Sequence, residues 1–195
     1  MRAGASVTPI PRSESRTLQA LGARRPDEKP PPRPELVQIL RRFAGEGDGI
    51  VALFDARAIA GERHLLSAWA HMGRSRARGE SRLRDRGAEL ALYVTGEDQL
   101  PRALAKAGVA DDSREFVLLV ERPRDPETVL VSFGLVRDDS IYPRPPTEST
   151  LDRLGVSEAE RNAVPPSAWE GLVLERVALL ELSSAHATGD SKEKA

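Results

Sequence analysis

EFVLLVE, residues Glu115–Glu121, is a run of large apolar side chains closed at each end by a carboxylate, and it reads as the clearest strand in the chain. GIVALFDA, residues 49–56, is a second run of this kind, preceded by turn signals, and reads as a buried strand. Buried strands need cover, and the segments around them carry the spacing of helices. Leu36, Ile39, Leu40 and Phe43 recur at helical intervals in 35–43, and Leu65, Trp69 and Met72 form one stripe in 62–72. Further helices are expected over 83–94 and 98–107, where Pro101 sits near a helix start and its missing N–H costs little. Asp125-Pro126-Glu127 is a helix start, and the TVLVSFGL that follows suits helix or strand. Ser157 with Glu160 forms a capping box. Residues 169–175 look helical, and RVALLEL, 176–182, looks like a strand. The fold class is therefore α/β in the mixed α+β sense: a small mixed sheet packed with several short helices.

A chain of 195 residues favours one domain plus tails. Residues 1–34 include RRPDEKPPPRPE, whose prolines and alternating charges leave no apolar face to bury, so this extension is expected to be disordered. Residues 35–183 are expected to form a single domain, and 184–195 a loose polar tail. No apolar run approaches the length of a membrane helix, and 1–34 lacks the apolar middle of a signal peptide. The expected compartment is the cytoplasm.

The chain has no Cys, which removes disulfides, thiolate metal sites and Cys nucleophiles together. His64 and His71 fall seven residues apart on one expected helix, about 10 Å and too far for a shared metal. His186 lies in the tail. Ser67, His64 and Asp55 assemble a triad only on paper, since no G-x-S-x-G elbow surrounds a serine. Asp111-Asp112 and Asp138-Asp139 sit beside turn signals and read as solvated turns. Gly45, Gly47 and Gly49 follow a helix and precede a strand, the reverse of a dinucleotide-binding order. These patterns predict no catalytic residue, no metal and no cofactor.

One charge cluster stands out. Arg74, Arg76, Arg78, Arg82, Arg84 and Arg86 share a short window with only Glu80 and Asp85, in a chain whose net charge is −1. The window joins two expected helices, so its guanidinium groups can spread over a surface and hold phosphate oxygens. No aromatic is interleaved, which points to backbone or end recognition of RNA and away from base stacking.

Four stretches in order resemble the small kinase-binding subunit of the KEOPS tRNA-modification complex: FDARAIAGERHLLSAWAHM at 54–72, RGAELALYVTGEDQLPRALAKAGV at 86–109, EFVLLVE, and LVLERVALLEL at 172–182. The resemblance implies a non-catalytic protein that binds the kinase/ATPase subunit and meets other KEOPS subunits indirectly. It also implies help in holding the 3′ CCA end of tRNA, while threonylcarbamoyladenosine is made next to the anticodon. Carried over by position, Gly96, Gln99, Leu100 and Ala103 fall where the family faces the tRNA end, with Arg102 and the cluster at Arg74, Arg76, Arg78 and Arg82 as supporting cations. Glu97-Asp98 departs from the family, which has a basic residue before Gln99; acids there suit a helix start but repel phosphate. An exposed apolar patch on a helix would mark the kinase contact. The alternatives are a stand-alone RNA-binding α/β domain using 74–86, and a hydrolase built around His64.

Overall fold

The computed structural model describes residues 18–26, 33–45, 49–121 and 124–189. In chain order its elements begin with β1 (Leu18–Arg24), α1 (Arg33–Gly45), β2 (Val51–Asp55), α2 (Glu62–Ala77), α3 (Arg86–Thr95) and α4 (Leu100–Ala107). They continue with β3 (Glu115–Glu121), α5 (Pro126–Ser132), β4 (Val136–Arg137), α6 (Glu148–Arg153), α7 (Glu158–Asn162) and α8 (Trp169–Gly189). The α/β class expected from the sequence is the class observed, but the sheet, expected to be mixed, is antiparallel in every pairing. The chain divides into two compact units, one of Met1–Arg57 with Gly108–Arg144 and one of Ala58–Ala107 with Pro145–Ala195. Among the described residues no helix is long and apolar enough to cross a membrane.

The first unit is built on a sheet of order β2-β3-β1-β4. β3 pairs antiparallel with β1 from Leu18↔Glu121 to Arg24↔Glu115, and with β2 from Val51↔Val120 to Asp55↔Phe116. β4 adds two residues to the far side of β1. Alternation along β3 turns Phe116, Leu118 and Val120 to one face, where they join Leu36 of α1 and Val129 and Leu130 of α5 in a continuous apolar core. Two carboxylates tie down the ends. Glu121 is fully buried and accepts the Ile50 N–H at 3.1 Å. Asp125 caps α5 through the Thr128 N–H at 2.9 Å, and the ambiguous segment after it is helix through Ser132 and turn beyond it.

The expectation of disorder through residue 34 is corrected here: LQALGAR is an inner strand, with neighbours on both sides. Its four apolar side chains, Leu18, Ala20, Leu21 and Ala23, are interrupted by Gln19 and Gly22, so local pattern understates it. Tertiary pairing decides. Gly22 has its own reason. A β-carbon there would strike the Asp138 carbonyl oxygen and come within 2.9 Å of Ile141, so only glycine lets the 138–142 turn close over the strand. Residues 1–17 and 27–32, the remainder of the expected disordered extension, lie outside the described residues.

In the second unit α2 buries Leu65, Ala68, Trp69 and Met72 on the expected stripe and runs on to Ala77, into what the sequence suggested was a connecting loop. Asp85 caps α3, accepting the Ala88 N–H at 2.6 Å, and Ser157 and Glu160 form the predicted capping box at α7. The strand expected at 176–182 is overturned. α8 is one helix of 21 residues, because Val173, Val177 and Leu180 are buried at i, i+4 and i+7 while Leu179 and Leu182 are exposed. It also covers 184–189, where a loose tail was expected; 190–195 lie outside the described residues.

Replacing Leu21 by Ala tests whether β1 belongs to the core. Leu21 is 2% exposed, so the change should cost about 3 kcal/mol in urea denaturation. A cost below about 0.5 kcal/mol, typical of surface sites, would remove β1 from the sheet.

Candidate functional site

Both ring nitrogens of the fully buried His64 are committed. Nδ1 accepts the Ala60 N–H at 3.0 Å, which leaves Nε2 to donate to the Val94 carbonyl at 2.8 Å. The partners thus select the Nε2–H tautomer and fasten the entry of α2 to the end of α3. Burial pushes the imidazole down to about 4, against the weaker opposing pull of the Val94 carbonyl. This is a packed histidine. Asp55, the supposed third member of the paper triad, is engaged by different residues. It is 1% exposed and accepts Arg57 Nη2 at 2.6 Å and Ser113 Oγ at 2.6 Å. Burial alone would raise its carboxyl, but those hydrogen bonds hold it below the ordinary carboxylate value. Arg57 reaches on to Asp112 at 2.8 Å, so the exposed turn expected at Asp111-Asp112 also carries one arm of this clamp.

The arginine window is largely neutralised within its own unit. Glu181 of α8 receives His71 Nδ1, Arg74 Nη2 at 3.0 Å and Arg78 Nη2 at 2.8 Å. Burial resists the Glu181 charge, yet the hydrogen bonds from Arg74, Arg78 and His71 bring its carboxyl down to about 2. Arg78 also pairs with Glu80 at 2.9 Å. Arg76 turns inward to the fully buried Glu89, which also accepts the Arg82 N–H at 2.7 Å. Arg82 donates to the Leu180 carbonyl at 3.1 Å, and Arg86 lies over the Trp69 ring at 5.4 Å. Arg84 is exposed. These ion pairs fasten helices to one another, while Arg74 and Arg78 remain partly exposed.

The turn between α3 and α4 builds a different site. Gly96 ends α3 at φ 67°, a conformation that side chains disfavour, and a β-carbon there would sit 3.1 Å from Arg176 Cβ. That close approach brings α8 against the turn. Gly96, Glu97, Asp98, Arg176, Leu179 and Leu180 line a cleft of about 310 Å³. Arg176 is fixed by Glu160 at 2.9 Å and by the Gly155 carbonyl at 2.9 Å. Glu160 is held at about 2 by the Ser157 hydroxyl and N–H of the capping box, and then by Arg176. Lys106 pairs with Glu97 at 2.6 Å, so one of the two acids that depart from the family pattern is neutralised; Asp98 is exposed.

The residues singled out by sequence divide accordingly. Gln99 and Arg102 are exposed and Leu100 is half-buried beside the turn, whereas Ala103 is fully buried and serves packing. Arg74, Arg76, Arg78 and Arg82 lie in the ion-pair network. Sequence reasoning missed Arg176, Leu179 and Leu180 because it placed them on a strand; the i, i+4 recurrence of Val173 and Val177 was the available signal. No protein-family model matches this chain, and no curated protein matches it.

Two measurements check this arrangement. Arg76→Ala leaves Glu89 charged and buried and should cost about 3 kcal/mol, whereas Arg74→Ala, at a half-exposed pair, should cost less than about 1 kcal/mol. Equal costs would show that Glu89 is not a buried partner. For His64, the unfolded ring binds a proton near 6.5 and the native ring only near 4. The unfolded state therefore gains protons first, so stability is full above pH 6.5 and falls by up to about 3 kcal/mol as pH drops to 4. A His64→Gln variant with the same pH slope would assign the loss to other groups.

Proposed function

We propose that this chain is a non-catalytic subunit of the KEOPS type, which docks on the kinase/ATPase subunit and helps hold the 3′ CCA end of tRNA during threonylcarbamoyladenosine synthesis. One observation carries the reading. The two stretches 86–109 and 172–182, which resemble the family separately, meet at Gly96 and Arg176 to line one cleft. A shared site for the two stretches requires that they meet in this way. The turn and the exposed Gln99 and Arg102 lie on the side where the resemblance places the tRNA end.

For the kinase contact, α8 offers what the sequence left unassigned. Leu179 and Leu182 are 62% and 56% exposed and lie three residues apart on one helical face. Large apolar side chains displayed together in this way suit a protein interface. The alternative of a stand-alone RNA-binding domain loses support because its arginines are occupied by Glu89, Glu80 and Glu181.

Mixed with the cognate kinase subunit at micromolar concentration, the chain should co-elute with it on a sizing column. Leu179→Asp with Leu182→Asp should abolish the complex and leave the melting temperature within about 2 °C, since both side chains are exposed. Separate elution of the parent proteins would overturn the reading. A complex that survives both substitutions would move the docking face off α8.

A further inference from the structure

Arg25, directly after β1, is 7% exposed, and its Nε and Nη1 have no hydrogen-bond partner among the described residues. The contrast with other arginines in its unit is plain: Arg57 holds two carboxylates and Arg124 holds the Phe43 and Gly49 carbonyls at 2.8 and 3.2 Å. A buried guanidinium without acceptors is among the most costly groups a fold can carry. The flat side of the group is already used, with its centre 5.1 Å over the Phe116 ring. What is missing is an acceptor approaching in the guanidinium plane.

The charged neighbours specify that acceptor. The Arg25 N–H meets the Arg114 carbonyl at 3.4 Å, so the two arginines occupy facing positions where β1 and β3 end. Burial lowers Arg25 from its usual value, and Arg114 lowers it further, while Asp111 pulls the other way. Two cations therefore face one carboxylate, and Asp112 is committed to Arg57. Arg114 itself spends Nη1 on the Asp111 and Ser113 carbonyls. The imbalance is positive and local, with Arg25 buried and Arg114 exposed at its rim. The doubled positive charge favours a dianion over a single carboxylate, and a single buried fork offers no row of donors for a polymer backbone to run along.

We propose that Arg25 and Arg114 form a binding site for a small phosphate-type oxyanion at the end of β1, separate from the cleft of the second unit. Arg25 supplies the in-plane donors, Phe116 fixes the guanidinium from one side, and Arg114 adds charge. The site is independent of the KEOPS reading and stands or falls without it.

Thermal unfolding of the full chain in increasing inorganic phosphate, with ionic strength held constant by chloride, tests the proposal. The melting temperature should rise and saturate with phosphate, as ligand linkage requires. Arg25→Met should lose that rise while melting no lower than the parent in chloride, because it replaces an unpaired buried charge by an apolar chain of similar length. Arg25→Lys keeps the charge but loses the fork and should weaken the apparent affinity about tenfold. Arg114→Met should weaken it by less. Equal melting in phosphate and chloride would overturn the proposal, even if Arg25→Met failed to fold. So would an Arg25→Met variant that retains the phosphate response, or acetate acting as strongly as phosphate.

Discussion

Glu181 holds the second unit in register. It lies on α8 and receives His71, Arg74 and Arg78 from the far half of α2 and the residue that follows it. A helix rotates about 100° per residue, so anchoring one position fixes the heading of every other. With Glu181 turned to α2, Arg176 and Leu180 are turned to the Gly96 turn, and Leu179 and Leu182 are turned to solvent. The cleft and the apolar face are thus two consequences of one ion-pair cluster. Charge that looked like a surface for RNA is the device that aims the helix carrying the candidate site.

Much of the framework was legible along the chain. β2, β3, α1 and the stripe of α2 come from local periodicity, and the caps at Asp125 and Ser157 from local chemistry. The failures share a cause. β1 is a short apolar stretch flanked by polar residues, and only a partner almost a hundred residues on, β3, makes it a strand. RVALLEL suits a strand by composition, and its helical state depends on being packed against α2 and α3. The ion-pair partners of the arginine window were not legible in it because Glu89 and Glu181 lie outside the window counted. Local sequence reports propensity, whereas the state of a charge is decided by who faces it.

The functional residues followed the same rule. The Gly96 turn was found through its own motif, and the structure keeps it as one wall of a cleft. The opposite wall, Arg176 to Leu180, required knowing that the end of the chain is helical. Ala103 was expected at a surface and is fully buried, because the stripe of α4 that meets the rest of its unit is Ala103 with Ala107.

The sheet has a further implication for how the chain comes into being. β3 is the shared neighbour of β1 and β2, and it is synthesised after α2, α3 and α4. Neither early strand has a ladder to join until then, so β1 and β2 emerge as single edges in search of a template. The helices α2, α3 and α4 belong to the other unit and make contacts with one another within that stretch. Long sequence separation slows closure and lengthens the time for which unpaired strands are accessible to other chains. During translation the protein passes through a state in which its helical stretch can condense before its sheet exists, and chain association is then most dangerous.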